Sequence, residues 1–313
     1  MSFVFVFPGQ GSQSVGMLGP LADAEPTVRG TFAEASDVLR YDLWKLVSDG
    51  PEEALNATER TQPAMLAAGV ATWRVWRERG GDEPAAVSGH SLGEFTALVC
   101  AQALEFAAAV ELVRFRGQVM QEAVPAGSGA MAAVLGLDDE TIVALCREAA
   151  QGAVVEAVNF NSPGQVVIAG ETAAVQRALG AARLRGARRT VVLPVSVPSH
   201  SSLMHAAGER LRPVLAALPF EAPRMRYVSA VDARAHESPD DIRETLVRQL
   251  SSPVRWPQTL SALIAEPVRQ VIECGPGRVL TGLNRRIERR ADLAFLSLDD
   301  REAIDAALVA TRR

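Results

Sequence analysis

The chain reads as a two-part α/β protein: a mostly parallel sheet layered with helices, and a ferredoxin-like unit inserted into it. Three observations predict this. Short apolar strands alternate with amphipathic helices along most of the 313 residues. One internal segment has a βαββαβ order of its own. A Gly89-His90-Ser91-Leu92-Gly93 stretch follows the apolar Ala85-Ala86-Val87 and precedes a run rich in helix formers, 92–103.

In chain order, Phe3 to Phe7 reads as a buried strand that Pro8 ends. A second strand ends at the glycine-flanked serine, and a helix is expected over 106–123. Gly129 to Leu135 then reads as a strand, and 138–150 as a helix with acidic residues in its first turn. Strands follow at 153–160 and 165–169, joined across Asn161-Ser162-Pro163-Gly164. A helix over 171–186 and a strand over 188–195 complete the inserted unit. The predicted organisation is a large part formed by 1–126 and 197–313, and a small ferredoxin-like part formed by 127–196.

Composition bounds the function. With 48% hydrophobic and 22% charged residues the chain can bury a large core, and a net charge of -5 argues against general nucleic-acid binding. The run Phe3-Val4-Phe5-Val6-Phe7 lacks a basic leader and stops at Pro8, and no apolar stretch is long enough to span a bilayer. A cytoplasmic protein without membrane association is expected. The three cysteines, Cys100, Cys146 and Cys274, are widely spaced, which fits a reducing compartment and neither a disulfide framework nor a zinc site. The single lysine, Lys45, lies in a mixed helical segment, which argues against Schiff-base or P-loop chemistry. Gly9-Gln10-Gly11 follows a strand, but Ser14 stands where a dinucleotide motif needs its third glycine.

The positive signal is Ser91. Flanking glycines permit the close backbone approach of a nucleophile elbow, and the Leu92 N–H, at the start of a helix, points to where an oxyanion would form. A serine nucleophile needs a base, and four histidines are available. His90 adjoins Ser91, where neighbouring side chains diverge; His236 lies in a polar stretch expected to be a solvated loop; His205 sits in a helical segment that would present it to a surface or to a neighbouring element. His200 follows the β-branched run 190–197, where a strand is expected to end, and is the preferred base; capping the next helix is its alternative role.

A charge set against the helical pattern adds a second signal. Leu112, Val113, Arg116 and Met120 share one apolar face, whereas Arg114 lies opposite, near Glu111. Arg116 is therefore expected to be buried, with an internal carboxylate, carbonyl groups or an anionic ligand as its partner. Gln249 shares a face with Ile242, Thr245 and Leu246 and reads as a core hydrogen-bonder or a site residue.

Taken together, Phe5-Val6-Phe7-Pro8-Gly9-Gln10-Gly11-Ser12-Gln13, Gly89-His90-Ser91-Leu92-Gly93-Glu94, Asn159-Phe160-Asn161-Ser162-Pro163-Gly164-Gln165, Val197-Pro198-Ser199-His200 and Glu273-Cys274-Gly275-Pro276-Gly277 resemble the malonyl-CoA:acyl carrier protein transacylases of bacterial fatty acid synthesis. The resemblance covers nearly the whole chain. It implies an α/β-hydrolase-like large part with a ferredoxin-like small one. It implies Ser91 as nucleophile, His200 as base and Arg116 as the anchor of the malonyl carboxylate. The N–H groups of Gln10 and Leu92 would form the oxyanion hole, the Gln249 carbonyl would orient the imidazole, and Asn161 would line the cleft. No cofactor is implied: the coenzyme A thioester is a substrate, and phosphopantetheine arrives on the carrier protein. The resemblance also favours a monomer. Two alternatives are a serine hydrolase, which would carry a triad acid and a histidine near the C-terminus, and a carrier-docking subunit in which Ser91 is incidental. Two arginine clusters are candidates for carrier contact: Arg183, Arg185, Arg188 and Arg189, and Arg285, Arg286, Arg289 and Arg290.

Overall fold

The computed structural model describes residues 2–195, 197–264 and 267–312. Its first sheet has five strands: β1 (Ser2–Phe7), β2 (Ala86–Gly89), β7 (Arg226–Tyr227), β9 (Val268–Glu273) and β10 (Ala294–Ser297). They lie in the order β10-β9-β1-β2-β7 and every pairing is parallel. A parallel sheet is covered on both faces, and β1 shows how the sequence provides for this. Phe3, Phe5 and Phe7 enter one core, where Trp73 and Trp76 of the helix Thr58–Glu78 pack edge-on against Phe5. Val4 and Val6, on the opposite face, join a second core around Trp256 and Leu260.

Strand order reverses at β1, whose neighbours are β2 on one side and β9 on the other. Such a reversal opens a crevice at the carboxyl ends of the strands. Pro8-Gly9-Gln10, Gly89-His90-Ser91 and Cys274-Gly275 all leave their strands there.

The second sheet contains β3 (Gly129–Leu135), β4 (Val155–Ser162), β5 (Gln165–Glu171) and β6 (Arg189–Val192) in the order β6-β3-β5-β4, all antiparallel. With the helices Asp139–Ala150 and Thr172–Leu184 this is the ferredoxin-like order expected from the sequence. Ile142, Leu145 and Leu179 from the helices meet Ala132, Val134 and Ile168 from the sheet. An addition comes from outside the segment: β8 (Val254–Arg255) pairs in parallel with β4, through Asn159↔Val254 and Phe160↔Arg255. Two residues are too few to show a periodicity, so the sequence pattern carries no sign of this strand.

Two expectations are corrected here. β4 extends through Asn161 and Ser162, so the turn shrinks to Pro163-Gly164, with Gly164 at φ +70°. Asn161 read as loop because asparagine is rare in strands, but its side chain is occupied by a histidine, as described below. The run 188–195 is a strand only over Arg189–Val192; Leu193, Pro194 and Val195 leave the sheet and line a cavity. Ser196, within the same apolar run, lies outside the described residues. Among the described residues, no helix is long and apolar enough to cross a membrane.

The turn after β2 is packed backbone against backbone. A Cβ on Gly93 would lie 2.0 Å from the Phe7 carbonyl oxygen, and one on Gly89 would lie 1.8 Å from the Gly93 carbonyl carbon. Gly30, in the helix Pro26–Leu39, meets nothing within 4 Å. Gly93→Ala is therefore expected to lower stability by about 2–4 kcal/mol through forced backbone displacement. Gly30→Ala should raise it by about 0.5–1 kcal/mol by restricting the unfolded chain. Thermal or denaturant unfolding of the two variants measures both signs.

Candidate active site

Ser91 follows β2 at φ +53°, the left-handed region that a residue other than glycine seldom occupies. The helix Gly93–Cys100 begins two residues later, with Leu92 at its N-cap. This is the strand–turn–helix context the motif requires. Gly9 allows the loop after β1 to press on the turn: its Cβ would stand 2.3 Å from the His90 carbonyl oxygen and 3.7 Å from the Leu92 nitrogen. Gln10 and Leu92 consequently border the same cavity of about 150 Å³, together with Ser91, His200 and Arg116.

His200 Nε2 lies 2.7 Å from Ser91 Oγ, and His200 Nδ1 lies 2.8 Å from the Gln249 carbonyl oxygen. Since a carbonyl only accepts, Nδ1 carries the proton, and Nε2 is left to accept from the serine hydroxyl. The loop holding His200 is itself constrained, with φ +67° and its backbone N–H donating to the Leu250 carbonyl at 2.9 Å. His200 reaches the serine from this loop, not from a strand end as its place in the apolar run suggested. Burial, reinforced by the positive charge of Arg116, pushes the imidazole pKa down to about 3.

Arg116 is fully buried on the helix Phe106–Glu122, on the face predicted for it. Its partners are two neutral amides: NH1 donates to Gln62 Oε1 at 2.8 Å and NH2 to Gln249 Oε1 at 2.9 Å. Its Nε has no hydrogen-bond partner, and the Phe95 ring lies 5.5 Å from the guanidinium carbon. Burial lowers its pKa to about 10, which leaves it charged at neutral pH. Arg114, by contrast, is on the surface and paired with Glu111.

The other residues singled out fall as follows. Gln249 is buried with its side chain on Arg116 and its amide nitrogen 3.1 Å from the Ser91 carbonyl oxygen, and its main chain holds His200. Asn161 does not border the cavity: its Oδ1 lies 2.9 Å from His90 Nε2, while Asn159 lines it. Register shifts in β4 on either side of Asn159 and Phe160 re-aim these side chains. His90, held by Asn161 and with its ring 5.6 Å from that of Trp256, is unavailable as a base for Ser91. His205 begins the helix His205–Ala217 and is exposed. His236 is not loosely solvated; it hydrogen-bonds Asp232 at 3.1 Å and its ring centroid lies 6.5 Å from that of Tyr227. Sequence reasoning missed Gln62 and Tyr227. The usable signal for Gln62 was an amide inside the otherwise apolar run of the helix Thr58–Glu78.

A serine hydroxyl held against a neutral imidazole, beside a cation that lacks an opposing carboxylate within contact, suits acyl-group chemistry. The chain belongs to the acyl transferase domain family, whose model matches residues 4–294. Within that family it belongs with the malonyl CoA-acyl carrier protein transacylases. It is 54% identical over 306 residues to that protein of Escherichia coli strain K12, covering 98% of each chain. It is 42% identical to the one from Bacillus subtilis, covering 97% of this chain and 95% of that protein. Among solved structures it resembles an acyl carrier protein S-malonyltransferase from Vibrio cholerae with TM-score 0.94 and 54% identity, covering 98% of this chain and 100% of the other. It also resembles a malonyl-transacylase in complex with the holo acyl-carrier protein of a type II PKS, with TM-score 0.97 and 53% identity, covering 99% and 100% of the two chains.

The lowered pKa of His200 fixes a sign. The unfolded chain takes up a proton near 6.5, while the folded one refuses it until about pH 3. The contribution of this group to stability is thus present above pH 6.5 and lost as pH falls towards 3. NMR of the His200 ring should show a neutral Nδ1–H tautomer and no titration between pH 5 and 8. A midpoint at or above 6.5 would contradict the burial described.

Proposed function

We propose that this chain moves the malonyl group of malonyl-CoA to the phosphopantetheine thiol of acyl carrier protein, in fatty acid biosynthesis, through a malonyl ester on Ser91. The observation that carries the reading is that Ser91, His200 and Arg116 border one cavity, with the imidazole held 2.7 Å from the hydroxyl. Ser91 Oγ attacks the thioester carbonyl as its proton passes to His200 Nε2. The N–H groups of Gln10 and Leu92 receive the developing oxyanion. Collapse expels coenzyme A, which takes the proton from His200, and leaves malonyl-Ser91. The carrier thiol then enters, gives its proton to His200, and the same steps reverse. A thiol leaving group, with a pKa of about 8.5, asks less of the imidazole than an amine would, so a carbonyl at Nδ1 can serve in place of a carboxylate.

Arg116 reads as the anchor for the malonyl carboxylate, with its fork suited to bidentate pairing. No cofactor is called for by this chemistry. The reading places the protein in the cytoplasm, in keeping with three cysteines that are free and buried.

Three variants test the assignment through intact-mass detection of acyl-enzyme. Ser91→Ala should abolish the malonyl adduct, and His200→Ala should slow its formation severely while the fold persists. Arg116→Ala should weaken use of malonyl-CoA by roughly a hundredfold, the loss of about 2–4 kcal/mol of charge-assisted bonding, with acetyl-CoA use unchanged or improved. Equal loss of both donors would make Arg116 structural. Free malonate without accumulated adduct would instead indicate a hydrolase.

The carrier is acidic in this reading, and one arginine cluster is better placed to meet it. Both clusters are partly committed to protein acceptors, Arg285, Arg286 and Arg290 in one and Arg183 and Arg185 in the other, so what separates them is their position relative to the cavity. Arg188 and Arg189 are exposed, at the start of the strand whose continuation lines the cavity. Reversing both to Glu should raise the KM for carrier protein and flatten its salt dependence, since exposed charges are screened over about 8 Å at physiological ionic strength. Acylation by malonyl-CoA should stay normal. Kinetics of both half-reactions over a salt series decide it.

A further inference from the structure

Arg116 is a buried cation whose direct partners are neutral, an arrangement that is costly unless an opposite charge lies near. The opposite charge acting on it is Glu94, which does not touch the guanidinium. Glu94 sits fully buried in the first turn of the helix after the elbow, three residues beyond Ser91. Its Oε2 accepts from the Tyr227 hydroxyl, and its Oε1 from the Ala230 backbone N–H at 3.1 Å. The Ser229 hydroxyl and the Gln249 side chain also favour its charged form, against the burial that raises its pKa. Burial is the larger influence and raises the carboxyl pKa, and the donors from Tyr227, Gln249, Ser229 and Ala230 work against that rise by favouring the charged form.

Gln249 stands between the two charges. Its amide oxygen faces Arg116. Its amide nitrogen donates to the Ser91 carbonyl at 3.1 Å and stands near enough to the Glu94 carboxyl to favour its charged form. A glutamate in direct bidentate contact would close the guanidinium to any ligand. One set an amide away balances the charge and leaves the Nε edge of Arg116 without a protein partner.

We propose that Glu94 is the resident counter-charge of Arg116, offset through the Gln249 amide, and that it sets how strongly the site prefers acyl groups bearing a carboxylate. Glu94 touches no substrate; it is a positioning residue, and the inference rests on Arg116 as the anchor of the malonyl carboxylate. Its anion moderates the pull of Arg116, so that the malonyl group is selected yet still released to the acceptor.

The test compares Ser91 acylation by malonyl-CoA and acetyl-CoA in the full chain carrying Glu94→Gln, Arg116→Ala or both. Glu94→Gln removes the charge while keeping the volume and an oxygen for Gln249. The malonyl preference should rise about tenfold, as one nearby charge in a partly polar interior implies, through a lower KM for malonyl-CoA with acetyl-CoA unchanged. In the Arg116→Ala background the same change should have no effect on preference. Equal loss of both donors in Glu94→Gln, an unchanged preference, or the same shift without Arg116 would each overturn the proposal. Should Glu94→Gln not fold alone, the double variant decides. A folded double variant supports the charge coupling, and an unfolded one assigns Glu94 to packing and overturns it. Arg116→Ala alone separates the two readings: loss of both donors removes the anchor itself, whereas selective loss of malonyl with an inert Glu94→Gln removes only the counter-charge.

Discussion

Everything in the site depends on one backbone contact, between the end of β1 and the turn that follows β2. The turn can approach the Phe7 carbonyl only because residue 93 has no side chain, and residue 9 must be equally bare to meet the His90 carbonyl. With the two chains this close, the serine is carried over the top at a positive φ. The peptide after β1 is brought beside the first peptide of the helix at the same time. The placements of the Ser91 hydroxyl and of the Gln10 and Leu92 peptides are therefore consequences of a single packing event, which makes their geometry stiff.

Gln249 performs the corresponding task on the other side. It ends the helix Pro239–Gln249, where the last carbonyls have no partner within the helix. One of these orphan acceptors, the Gln249 carbonyl, receives the hydrogen bond that His200 Nδ1–H donates. The helix terminus also carries partial negative charge, which favours positive charge on the imidazole beside it. A main-chain group thus does part of what a buried aspartate does in a Ser-His-Asp site, without placing another full charge next to Arg116.

The legible parts of the chain were those with a period or a motif. Strands with alternating phenylalanine and valine, the βαββαβ order, and Arg116 against its apolar face all stand where the pattern put them. What the pattern could not carry was pairing over distance. Asn161 was read as loop because the histidine it grips lies 71 residues earlier. The run 188–195 was read as strand, yet Leu193, Pro194 and Val195 line a cavity that the elbow also lines. Gln62 and Gln249 become partners only once Arg116 stands between them. Local preference sees one residue's neighbours along the chain, and a site is made of neighbours across it.

The two-residue strand β8 has a consequence for how the molecule is made. The βαββαβ unit is complete in sequence at Val192, but the outer edge of β4 gains its partner only when residues 254 and 255 arrive. During synthesis from the N-terminus, some sixty residues separate those events, at a rate of roughly 5–20 residues per second. For those seconds β4 is an open edge, with unpaired N–H and C=O groups that another nascent chain could match. Asn159 lies at the part of the edge that β8 later covers, and a polar side chain at such a border discourages intermolecular pairing until Val254 takes its place beside it.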